Sequence, residues 1–134
     1  MKFELTDAFL TGDPWIDEDH RRLAATIDSI HATERSADPQ GLFAVLAAFR
    51  AHLAHHFAQE EAHLKAMRYP HLEPHRAHHG EILEALERLM RSVEDGRPVE
   101  GGVAQTCYHE LIRVVLLRDM QFANWVADRN QGIR

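Results

Sequence analysis

The sequence has little cysteine, no basic stripe and no long apolar run, and each shortage argues against a class of protein. Its one cysteine, Cys107, cannot form an intrachain disulfide, so we expect a buried thiol in a reducing compartment. The formal charge is −6, and basic clusters such as Arg21-Arg22 are too short for a phosphate-binding groove. No run reaches the length of a membrane span, and acids and a proline interrupt residues 1–15, where a signal peptide would be apolar. The sequence therefore predicts a cytoplasmic protein with no nucleic-acid or membrane partner.

Strand signals and linkers are also scarce. No alternating run of β-branched residues is bounded by turn dipeptides, and the seven glycines and five prolines are scattered. Hydrophobic residues make up 45% of the chain and charged residues 27%, which is typical of a globular protein. A length of 134 residues fits one domain with its own core, so we expect residues 1–134 to form a single domain.

The first half of the chain carries two helical patterns. After an irregular arm that ends near Asp13-Pro14, apolar residues recur at steps of three and four, which predicts a helix from about residue 17 to about residue 35. Asp38 is a typical N-cap, and Pro39 suits the first position of a second helix. This pattern continues to the sequence RYP at residues 68–70.

The second half repeats this organisation. Pro74 can open a third helix, which the sequence EDGRPVEGG ends, and a fourth helix is predicted from about Val103 to about Asp128. Four amphipathic helices joined by short loops predict an all-α, up-down-up-down antiparallel four-helix bundle.

Histidine is the anomaly of the composition, since eight of the eleven histidines fall within residues 52–79. Six of the eleven are best explained as hydrogen-bonded core or boundary residues: His31, His52, His55, His63, His71 and His109. Six polar residues instead take positions in the apolar stripes of the four helices: His20, His56, Glu60, His75, His79 and Asp119.

The spacing of these six residues predicts that they meet. His56 and Glu60 are four residues apart, as are His75 and His79, so each pair projects from one face of successive turns. In an antiparallel bundle, residues early in the first and third helices lie beside residues late in the second and fourth. We therefore expect all six side chains to converge near one end of the bundle.

An apolar core gives no reason to bury such a set. Unpaired imidazoles and neighbouring carboxylates are expensive to bury, whereas two divalent cations would stabilise them. Imidazole nitrogens with bridging carboxylate oxygens suit iron, manganese or zinc. The residues alone thus predict a dinuclear metal site and leave the metal open.

Four motifs resemble those of the hemerythrin family, in the same order along nearly the whole chain. The sequence IDEDH at residues 16–20 is similar to the first-helix motif that ends in a ligand histidine, and HFAQEE at 56–61 is similar to HFxxEE. YPHLEPHRAHH at 69–79 resembles the tyrosine-proline loop followed by HxxxH, and Asp119 stands where the last-helix carboxylate belongs.

This resemblance implies a non-haem site with two iron ions that binds dioxygen or a related small ligand. The ligands it implies are His20 and His56 on the iron that takes up dioxygen, His75 and His79 on the other iron, and the bridging carboxylates Glu60 and Asp119.

The sequence departs from the family at one position. The last-helix motif of the family is HIxxxD, whereas the corresponding VVLLRD places Val114 five residues before Asp119. The second iron is therefore expected to lack a ligand and to be held more weakly. Five residues span ~140° on an ideal helix, so presenting both side chains to one site would need a π-type bulge. His63, His78 and His109 are predicted to point elsewhere, which leaves solvent, a bidentate carboxylate or no ligand at this position.

Three functions are compatible with this reading. The first is a protein that stores, delivers or senses dioxygen without being an enzyme. The second is a diiron enzyme with oxidase, peroxidase or nitric-oxide chemistry, because an altered site leaves open metal positions. The third is a regulatory module that reports iron or redox state to a protein partner that the sequence does not identify.

Overall fold

The computed structural model describes residues 10–130, except for the side chains of residues 115 and 116. The predicted irregular arm falls largely on residues 1–9, which lie outside the described residues, and residues 10–13 precede the first helix. The described helices are α1 (Pro14–Arg35), α2 (Pro39–Ala66), α3 (Leu72–Glu94), α4 (Val103–Val114), a π-helical segment (Val115–Asp119) and α5 (Met120–Asn130).

The predicted four-helix bundle is confirmed. The segments α4, π and α5 follow one another without a break and form the fourth helical rod. Helix α1 packs against α2 and α4, and α3 packs against the same two partners. Short connections make consecutive rods antiparallel. No helix within residues 10–130 combines the length and the apolar character needed to cross a lipid bilayer.

The starts of α1 and α3 differ from the predicted ones by three and two residues, whereas α2 begins at Pro39 and α4 at Val103 as predicted. Helix α1 begins at Pro14 because the Asp13 carboxylate accepts hydrogen bonds from the backbone N–H groups of Trp15 and Ile16. Helix α3 begins at Leu72 rather than Pro74. A proline is tolerated there because the first N–H groups of a helix have no intrahelical acceptor.

A side chain from α1 caps the fourth rod. The Glu34 carboxylate accepts hydrogen bonds from the backbone N–H groups of Val103 (2.6 Å) and Ala104 (3.3 Å). A negative charge at a helix N-terminus is favourable, since the free N–H groups there carry positive partial charge. This contact fixes the start of α4 against the end of α1.

The apolar interior is divided into two clusters. The larger one lines most of the bundle and includes Cys107, which is fully buried as predicted, and burial raises the pKa of its thiol to about 12. The smaller one, at the bundle end where α1 begins, contains Ile16, Leu64, Tyr69 and Phe122. A layer of buried polar side chains lies between the two clusters on every rod, since His20, for example, follows Ile16 and precedes Leu23.

Candidate metal centre

The structure brings together all six residues that the sequence singled out. Their side chains form two groups, and the ligand atoms within each group lie within 4.8 Å of one another. One group is His20, His56, Glu60 and Asp119, and the other is Glu60, His75, His79 and Asp119. Every member is at most 2% exposed. The two groups share both carboxylates, which is the arrangement that two neighbouring cations with bridging ligands require.

Distances within the two groups are short, but few of the contacts are hydrogen bonds. The Nε2 atom of His20 lies 3.0 Å from Asp119 Oδ2, and the Nε2 atoms of His56 and His79 lie 3.2 and 3.4 Å from the two oxygens of Glu60. No partner with hydrogen-bonding geometry is present for these three nitrogens, however. The same holds for Glu60 Oε2 and for both oxygens of Asp119. Buried polar atoms are rarely left unsatisfied, so atoms that converge in this way fit a metal centre.

The charges within the centre reinforce one another. Burial alone would raise the pKa of Glu60, but the surrounding His56, His75 and His79 hold it well below its usual value. Burial likewise favours neutral imidazoles, yet contact with carboxylates raises the pKa of both His56 and His75 to about 9. Without metal, protons on His56 and His75 therefore offset part of the negative charge of the surrounding carboxylates.

Two further carboxylates accept hydrogen bonds from the Nδ1 atoms of candidate ligand histidines. The Nδ1 atom of His56 donates a hydrogen bond to Asp19 Oδ2 (2.6 Å), and the Nδ1 atom of His79 donates one to Glu61 Oε2 (2.8 Å). In both rings, this contact leaves Nε2 to face Glu60. Such carboxylates fix the tautomer and the orientation of a metal-binding histidine. Asp19 and Glu61 lie within the motifs IDEDH and HFAQEE, but no role was predicted for either residue.

Aromatic rings pack against the same two histidines. The Trp15 ring is stacked on His56 with a centroid distance of 5.3 Å, and the Phe57 ring is stacked on His79 at 3.7 Å. Because the rings are nearly parallel to their partners, they restrict rotation of both imidazoles. Neither contact was predicted.

The histidines that we assigned to the boundary contribute no atom to either group: His31, His52, His55, His63, His71 and His109. His78 was expected to point away from the bundle, but it is 4% exposed and neither ring nitrogen has a hydrogen-bond partner. Burial, together with Arg118 and Arg113, lowers the pKa of His78. It lies outside the two groups, and no described contact explains its burial.

Residues 11–131 match the sequence model of the hemerythrin HHE cation binding domain. The chain belongs to the hemerythrin family. A bacteriohemerythrin of Ralstonia nicotianae is 28% identical over 130 residues, which cover 96% of this chain and 92% of that protein. The recognition made from the motifs is thereby confirmed, and this hemerythrin-family chain is a metal-binding protein with histidine, glutamate and aspartate as candidate ligands.

Val114, which replaces the histidine of the hemerythrin motif, lies directly before a π-helical segment. Val114 is fully buried in the larger apolar cluster, and a π-helical segment runs from Val115 to Asp119 directly after it. The i→i+5 hydrogen bonding of a π-helix brings residues five apart closer to one face. The backbone therefore has the bulge that a histidine at position 114 would need, although the side chain there is apolar.

The two donor groups have the same composition, since each contains two histidines and the shared carboxylates. The position with His75 and His79 was predicted to bind iron more weakly because it lacks the histidine usual in the family. Without that histidine, however, the two positions are equal in ligand count. The number of protein ligands alone therefore gives no reason for unequal affinity at the two positions.

Proposed function

We propose that this chain binds two non-haem iron ions and takes up dioxygen reversibly, for storage, delivery or sensing. The observation that carries the proposal is the pair of donor groups that share Glu60 and Asp119. Two ferrous ions held side by side would supply the two electrons that bound dioxygen takes up. Iron is favoured because imidazole nitrogens with bridging carboxylates suit it and because the motifs are those of the hemerythrin family.

Each residue of the centre has a part in this function. His20 and His56 would hold the iron that takes dioxygen, while His75 and His79 would hold the second iron. The carboxylates Glu60 and Asp119 would bridge the two ions and set their separation. The apolar clusters on both sides exclude water, which strengthens every charge interaction within the layer.

A second candidate function is an oxidase or a related enzyme acting on dioxygen, peroxide or nitric oxide. Val114 favours it, because an apolar residue replaces the extra histidine and each group then offers only four protein donors. Ions that prefer six ligands would keep open positions on both sides. The two functions differ in whether dioxygen is returned or consumed.

Anaerobic purification, metal analysis and optical spectroscopy test the proposal. We expect close to two irons per chain and a spectral change on exposure to O2 that reverses when O2 is removed. Continued O2 consumption with a supplied reductant would favour the enzyme. A stoichiometry near zero in protein that is folded by circular dichroism would overturn both functions.

A further inference from the structure

Asp19 and Glu61, which accept hydrogen bonds from His56 and His79, differ in the residue that contacts their second carboxylate oxygen. The second oxygen of Asp19, Oδ1, lies 2.8 Å from Nε2 of His52, whose side chain is 31% exposed. The second oxygen of Glu61, Oε1, accepts a hydrogen bond from Nε of Arg76 (3.1 Å). Two parallel chains of contacts therefore lead from the surface of the bundle to the buried centre.

The outer residue of each chain of contacts, His52 or Arg76, influences how strongly the carboxylate accepts the hydrogen bond from the ligand histidine. The guanidinium of Arg76 is permanently charged and draws electron density from Glu61. An imidazole such as His52 can instead donate its N–H group without a formal charge. Asp19 is also the more buried carboxylate, and its contact with the ligand N–H is the shorter one (2.6 Å against 2.8 Å). Asp19 is therefore the stronger acceptor, and a stronger acceptor makes the ligand imidazole more basic.

We propose that His52 is a positioning residue for the His20/His56 half of the centre, acting through Asp19, and that its contact makes the two metal positions unequal. The inference rests on the proposed function, because it presumes two bound ions. It gives His52 a role that the sequence analysis did not, since the residue had been placed at the bundle boundary only. The number and type of donor residues do not create the difference, because the two groups match in composition.

Variants at His52 separate this role from a merely structural one. His52→Leu removes the donor, His52→Gln keeps an N–H group on its amide, and His52→Arg supplies a permanent charge like that of Arg76. His55→Leu is the matched control, since His55 is an exposed histidine on the same helix and lies outside both donor groups. Each full-length variant is titrated with Fe²⁺ under anaerobic conditions by calorimetry, and its iron reduction potentials are measured.

We expect His52→Leu to weaken one of the two Fe²⁺ binding steps by about tenfold and to leave the other within twofold, because removing a partner behind a ligand typically costs 10–100-fold in affinity. His52→Gln should restore most of the loss. His52→Arg should raise the reduction potential of one iron only, because it weakens Asp19 as an acceptor. None of these changes should follow from His55→Leu.

The outcomes distinguish this inference from the function on which it rests. If the wild type binds two irons and His52→Leu behaves like His55→Leu in both affinity and potential, His52 has no such role and the proposed function stands. Equal weakening of both steps would also refute it. A wild type that binds no iron would overturn the proposed function and this inference with it. The unfolding midpoints of the metal-free variants show whether a loss reflects misfolding instead.

Discussion

Replacing Val114 by histidine tests both the alignment of the fourth rod and the reason for its π-helical segment. Val114 is fully buried beside the polar layer, and the π-helical turn follows it directly. We expect the new imidazole to reach the His75/His79 group, because residues five apart approach one face across a π turn. The variant would then give one metal position three histidines.

The cost without metal follows from the burial of the site. Imidazole is larger than isopropyl, and overpacking a core costs about 1–3 kcal/mol. Burying a polar ring without a partner adds about 1–3 kcal/mol. The metal-free variant should therefore lose about 2–6 kcal/mol of unfolding free energy. At roughly 2–8 °C per kcal/mol for domains of this general size, it should melt well below the wild type.

Metal should reverse part of this loss. A third histidine should tighten one Fe²⁺ binding step at least tenfold, which corresponds to about 1.4 kcal/mol. Calorimetric melting and anaerobic Fe²⁺ titration measure the two effects. Val114→Phe is the control, because it crowds the same site without a nitrogen donor. If the phenylalanine and histidine variants bind Fe²⁺ equally well, position 114 does not face the metal and our alignment is wrong.

Two further predictions concern the donor groups. Glu60→Gln should abolish most of the iron content because it removes the charge of a shared carboxylate. His63→Gln should leave the iron content unchanged, since His63 is exposed and lies outside both donor groups. Equal losses of iron in the two variants, measured by metal analysis, would show that the ligand set is wrong. His56 and His75 have raised pKa values in the folded protein, so their protonation stabilises the metal-free fold fully below pH 6.5. This contribution is lost as the pH rises through about 9. The melting temperature of the metal-free protein should therefore decrease as the pH is raised from 6.5 to about 9. A flat or rising melting temperature over that range would contradict the charge balance described here.

The sequence predicted the fold and the set of converging residues well because both depend on periodicity. Helical spacing alone placed Glu60 one turn after His56 and placed His79 one turn after His75. The antiparallel order then brought Asp119 and the two pairs to one level. Each step needed only the position of a residue along its helix, which a sequence displays directly.

Contacts between neighbouring helices were not predictable in the same way. Asp19 reaches His52 and His56 across the α1–α2 interface, and Glu61 reaches His79 across the α2–α3 interface. Such pairs depend on helix rotation and on side-chain rotamers, to which periodicity is insensitive. The acidic residues in IDEDH and HFAQEE were visible signals, but nothing in the motifs showed which histidine each acid would hold.

The π-helical segment is the clearest case of a feature that local sequence underdetermines. The residues Val115–Asp119 include no glycine or proline that would mark an irregularity. Only the five-residue spacing between histidine and aspartate in the family motif indicated a bulge. In this chain the histidine position of that motif is occupied by Val114. The bulge is nevertheless present, so the backbone geometry does not depend on a histidine at position 114.

The layer between the two apolar clusters must stay balanced in charge whether or not metal is bound. Glu60 and Asp119 bring two carboxylates into the buried interior, and isolated charges there are costly. Protons on His56 and His75 offset part of this charge in the metal-free protein, since contacts of His56 with Asp19 and of His75 with Asp119, together with contacts of both with Glu60, raise the pKa of both imidazoles. A metal ion needs the same nitrogens in their neutral form, so binding must displace those protons. The protons thus offset buried charge in a metal-free bundle whose donor groups already converge, and we expect metal binding to release these protons.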